Sequence, residues 1–166
     1  MIPPAIEIHA HFSSHEKKEM DKQCHFLEEW YRCRTNQEVP KVEVFKVKFV
    51  NIEGLYTDNT IYMKKRKHII TTFLHELNHA YQWRFPDTVY EKIIGNIIDD
   101  IPTGQSDYWT ESWEVHSRIM ELRYINNLNP NQHITPEAFK KLKIPEKLNL
   151  RMYSNEQLIK NLNSTI

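Results

Sequence analysis

The spacing of apolar and polar positions divides the chain into helical and extended stretches. Across residues 14–33 the period is helical, with Phe26, Leu27, Trp30 and Tyr31 on one face, Lys17 and Lys18 interleaved with Glu16 and Glu19, and Ser14 placed to cap. Residues 1–12 read as extended or irregular. After a turn at 35–40, Val42, Val44, Val47, Phe49 and Val50 form a β-rich run. A turn at 51–54 leads to a second strand over 55–63, where Asp58 and Asn59 mark a bend or bulge. Helical spacing returns at 68–85, where Ile69, Ile70, Phe73, Leu74, Leu77 and Tyr81 make the apolar stripe, and Pro86 ends it. A further helix is predicted over 87–98, and a long one from Ser106 or Asp107 to Leu128, with Trp113, Ile119, Met120, Leu122 and Ile125 on its core side. Thr135-Pro136 opens a short helix, and Ser154 with Gln157 has capping-box spacing for a last one.

This order of elements is α+β: a short antiparallel or mixed sheet packed on the helix at 68–85 and on a second long helix. No repeat, low-complexity tract or linker interrupts it. The expectation is one domain over 1–166, with an N-terminal helix at 14–33, a core at 40–128 and a helical C-terminal extension at 129–166. A chain of 166 residues that is 40% hydrophobic and 27% charged carries enough apolar mass for a core.

Lys plus Arg and Asp plus Glu number 22 each, so the net charge is zero. A general nucleic-acid or membrane-surface binder needs excess positive charge, and neither partner is expected. No apolar run reaches the roughly 18 residues of a membrane span, and the start shows no basic segment followed by an apolar one, so a cytoplasmic protein is expected. The two cysteines, Cys24 and Cys33, stand about 13 Å apart along one predicted helix, too far for a disulfide.

The chemistry concentrates in the stretch Thr71-Thr72-Phe73-Leu74-His75-Glu76-Leu77-Asn78-His79-Ala80-Tyr81-Gln82. Residues four apart on a helix share a face, so His75 and His79 point the same way and can hold one Zn²⁺. Glu76 lies on the same turn, within reach of a water on that ion. Asn78 and Gln82 read mainly as solvent-facing amides, with orientation of the histidines as the other role. Downstream, Glu111 and Glu114 are three apart and share a face of the predicted long helix. His9, His11, His15 and His25 form a second group of potential ligands, better read as exposed polar sequence. Lys64-Lys65-Arg66-Lys67 reads as a solvated loop. Cys24 could also cap a bound zinc.

The His-Glu-x-x-His helix, and the segment Thr110-Glu111-Ser112-Trp113-Glu114 with Ser117, resemble the gluzincin metallopeptidases, in particular lethal-factor-like and ImmA/IrrE-type catalytic domains. The resemblance spans roughly residues 40–128. It implies a small zincin-like domain with one zinc per chain. It also implies a third ligand Glu on a later helix, followed three residues on by a small residue. Glu114 fits that place because Ser117 follows it; Glu111 fits less well, because Glu114 follows it. The resemblance further implies a substrate-binding edge strand over 55–63 and an oxyanion donor shortly before the ligand Glu, for which Tyr108 stands first and His116 second. The implied activity is zinc-dependent hydrolysis of a peptide or protein substrate by a metal-activated water, with Glu76 as general base. The alternative is a zinc-bound regulatory or interaction module without catalysis.

Overall fold

The computed structural model of the chain describes residues 1–9, 11–48, 52–64, 71–97 and 111–164. Among these residues it is α+β, with a four-stranded mixed sheet and six α-helices. The chain divides into two compact units, Met1–Arg84 and Phe85–Ile166.

The first unit begins with β1 (Ile6–Ile8), a strand the periodicity does not reveal because three residues are too few to show alternation. Helix α1 (Ser14–Arg34) follows. Its cap is Ser13 rather than Ser14: the Glu16 N–H donates to Ser13 Oγ (3.1 Å), and the Ser13 N–H donates to Glu16 Oε1 (2.9 Å). Met20, Cys24, Leu27, Trp30 and Tyr31, at helical spacing, are all buried. Strand β2 (Val42–Val47) alternates as a half-buried strand should, with Val42 and Val44 inward and Glu43 outward. Lys46 also points inward, where its Nζ lies 3.0 Å from both Glu16 carboxylate oxygens.

The single strand expected over 55–63 is instead a hairpin of β3 (Gly54–Thr57) and β4 (Thr60–Lys64). Asp58 and Asn59 both have positive φ, 48° and 59°, the conformation of a two-residue turn whose twist matches its strands. The strand order is β1-β2-β4-β3, with β1 parallel to β2, β2 parallel to β4, and β3 antiparallel to β4. Hence β3 is an edge strand of the sheet among the described residues.

Helix α2 (Thr72–Gln82) packs against α1 and along β3 and β4. Its N-cap, Thr71, makes no side-chain capping bond. The N–H of Leu74, in the first turn, is instead satisfied from another helix: it donates to Gln23 Oε1 of α1 at 2.9 Å, and Gln23 is fully buried. The two helices are joined again where Tyr31 stacks on Tyr81 with centroids 4.0 Å apart.

The second unit is helical: α3 (Asp87–Ile93), α4 (Ser112–Ile125), α5 (Pro136–Phe139), a 3₁₀ turn at Glu146–Leu148, and α6 (Asn155–Ser164). Thr135 caps α5, and Ser154 with Gln157 makes the reciprocal cap of α6, as their spacing predicts. Its core includes Val115, Ile119, Leu122, Phe139, Leu150 and Leu162. Trp113, expected on the core side of α4, is 37% exposed. Two arginines take inward positions instead. Arg118 donates to the carbonyls of Leu148 and Asn149, and Arg123 to those of Asn129 and Leu162. Backbone oxygens thus supply the hydrogen bonds that make buried guanidinium groups tolerable. No helix among the described residues is long and apolar enough to cross a membrane.

Candidate metal centre

The two histidines of α2 converge. His75 Nε2 and His79 Nε2 lie 3.1 Å apart, with the rings edge-on at 86°. Helical spacing alone brings two side chains onto one face; it does not aim their nitrogens. Gln82 does that for His79. Its Oε1 lies 2.7 Å from His79 Nδ1, and a carbonyl oxygen only accepts, so Nδ1 carries the hydrogen. The neutral ring then has its lone pair on Nε2, the form that binds a metal. Gln82 is 6% exposed and Asn78 is fully buried, so neither is the solvent-facing amide expected from the sequence. The Tyr31 hydroxyl donates to Asn78 Oδ1 at 2.6 Å, tying the middle of α2 to α1.

Glu76 is 7% exposed and faces β3. The strand beside it presents backbone as well as side chains. The Lys64 N–H donates to the Glu53 carbonyl at 2.8 Å, so 53 and 64 form a hydrogen-bonded pair of the hairpin. Pairing alternates along an antiparallel ladder, which makes Gly54–Met63 and Tyr56–Ile61 the non-bonded pairs. The N–H and C=O groups of Gly54 and Tyr56 therefore point away from β4, toward the outer edge of the sheet.

In the second unit, Glu114 sits in the first turn of α4 and is 4% exposed. Ser117, one turn on, and His116 are fully buried. Glu111 is the N-cap residue, extended at φ −65° and ψ 134°, so it does not share a helical face with Glu114. It is exposed, and its carboxylate accepts from Trp113 Nε1. Tyr108 falls outside the described residues.

The other candidate ligands disperse. His9 Nε2 lies 3.0 Å from Glu43 Oε1 and 3.7 Å from Glu7 Oε1, a surface group in which neither His11 nor His15 takes part. His25 pairs with Asp21. Cys24 is buried in α1, and burial, reinforced by Asp21 and Glu28, pushes its thiol up to about 12. Cys24 belongs to neither group of converging ligand atoms among the described residues. Both cysteines are free.

Searches of family models, curated proteins and solved structures return no match to the chain. The chemistry of the residues themselves therefore carries the functional reading.

Proposed function

We propose that this chain is a zinc-dependent peptide-bond hydrolase of zincin-like fold. His75, His79 and Glu114 are the protein ligands of one zinc ion, Glu76 is the general base and Tyr108 the oxyanion donor. The observation that supports this most is the His75–His79 pair. Two nitrogens about 2.0–2.1 Å from one tetrahedral ion stand about 3.3 Å from each other, and these two stand 3.1 Å apart. The neutral imidazole that Gln82 imposes on His79 fits zinc, and two imidazoles with one carboxylate make a set that leaves a fourth position open.

When bound, zinc supplies Lewis acidity, lowering the pKa of a water in that open position toward about 7. Glu76 takes the proton of the attacking water and later gives it to the leaving amine. Tyr108, with His116 as the second candidate, donates to the oxyanion of the tetrahedral intermediate. An extended substrate pairs with the outward N–H and C=O groups of Gly54 and Tyr56, adding a strand to the sheet.

The test is a variant comparison on purified protein. Glu76→Gln keeps stoichiometric zinc and loses peptide cleavage; retained cleavage eliminates it as the base. Glu114→Ala loses zinc far more readily than Glu111→Ala, and the reverse order transfers the ligand role to Glu111. Stoichiometric zinc without cleavage, together with a separate cobalt-substituted sample whose spectrum ignores added anions, supports the regulatory module instead, because a closed site has no position to exchange.

A further inference from the structure

We infer that Gly54 is a positioning residue: the absence of its side chain is what lets the Glu76 carboxylate lie over the start of the substrate-binding edge. The inference rests on the hydrolase reading for its catalytic meaning, and on geometry alone for the contact itself. A Cβ built on Gly54 would stand 2.8 Å from Thr72 Cγ2, 3.1 Å from Glu76 Cγ and 3.3 Å from Glu76 Oε1. The first distance is closer than carbon atoms approach, and the other two are tight. Thr72 and Glu76 are four apart, so one face of α2 carries both contacts onto one residue of β3.

Backbone freedom is not why a glycine stands here. Gly54 is not in the left-handed region, and alanine can adopt its conformation. It is a paired strand residue opposite Met63, where glycine is otherwise unfavourable for lack of a side chain to pack. What glycine provides is room. The Thr72 methyl and the Glu76 side chain together crowd the space a methyl group on Gly54 would fill. The backbone of Gly54, whose N–H and C=O face outward, thus runs close beside the proposed base. A substrate strand paired at Gly54 is thereby held in register with Glu76, so one residue sets both the place of the base and the place of the peptide.

The experiment compares wild type, Gly54→Ala, Thr72→Ser and Gly54→Ala/Thr72→Ser as full-length protein, by crystal structure, zinc content and steady-state kinetics. In Gly54→Ala the α2 backbone stays in place, the Glu76 carboxylate is displaced, and zinc content is unchanged. KM stays close to wild type while kcat falls roughly 10- to 100-fold, the scale of an ångström-sized misplacement of a catalytic group. The double variant, relieved of the closest contact, keeps most of the loss because the contact with Glu76 persists. A Glu76 carboxylate that stays put in Gly54→Ala overturns the inference, whatever the kinetics. So does a double variant restored to wild-type kcat, which assigns the effect to Thr72. A displaced carboxylate in a protein whose wild type cleaves no peptide upholds the positioning role and defeats the hydrolase reading, so the two fail separately.

Discussion

Gln82 Oε1 lies 2.7 Å from His79 Nδ1, and this one contact fixes both the tautomer and the direction of the imidazole. Replacing Gln82 by Met keeps the side-chain volume and removes the acceptor. The ring is then free to choose the other tautomer, and zinc affinity falls roughly 10- to 100-fold. Competition with a chromophoric chelator measures this. Equal affinity in wild type and Gln82→Met would show that His79 needs no orienting partner.

Tyr31→Phe tests the frame behind the helix. The hydroxyl donates to Asn78 Oδ1 at 2.6 Å in a site from which water is excluded. Its removal leaves a buried carbonyl oxygen without that donor, at a cost of about 1–3 kcal/mol. Urea unfolding gives the number, and Tyr31→Phe combined with Asn78→Leu should cost less than the two singles added together.

Acid stability follows from Glu16. Burial alone would raise its carboxyl, but the Ser13 N–H and the Lys46 ammonium outweigh that and hold it below its ordinary 4.5. A depressed pKa contributes stability above the unfolded-state value, and that contribution disappears as pH falls through the folded-state one. Unfolding free energy should therefore decline below about pH 4.5 for this group, and more shallowly there in Lys46→Met. At neutral pH the same variant leaves Glu16 buried without its cation and loses about 3–5 kcal/mol. An identical pH dependence in both proteins refutes the pairing.

Thiol chemistry separates the two cysteines. Cys33 is exposed and Cys24 is buried, with its thiol pushed up to about 12. The thiolate is the reactive form. A disulfide reagent at pH 8 should modify one thiol per folded chain, at Cys33, and reach the second only in denaturant. Rapid labelling of both would contradict the packing of α1.

What could be read from the sequence follows from how far each interaction reaches along it. The histidine pair was legible because helix geometry fixes residues four apart. The capping of α6 was legible for the same reason: Ser154 and Gln157 serve each other within one turn. Gln23 and Tyr31 were not, since their partners, Leu74 and Asn78, lie 51 and 47 residues away, and no local pattern marks a glutamine that caps a different helix. The hairpin reads as one strand because apolar and aromatic residues continue on both sides of Asp58-Asn59, a pair that by itself also suits a bend or bulge. Nothing in the spacing marks Arg118 and Arg123 as buried, because the carbonyls of Leu148, Asn149 and Leu162 that accept from them lie 30 to 39 residues along the chain. Tyr31 and Gln82 are the residues most easily overlooked, since each works by holding a neighbour still.

The borrowed cap on α2 has a practical meaning for anyone wishing to transplant this chemistry. A synthetic peptide copied from residues 71–85 would contain every letter of the motif and almost none of its order: eleven helical residues are too short to persist alone in water, and the amide that steadies their first turn belongs to another part of the chain. The order of the proposed histidine ligands thus depends on the assembled N-terminal unit, and deleting residues 14–34 should abolish zinc binding as surely as deleting the histidines.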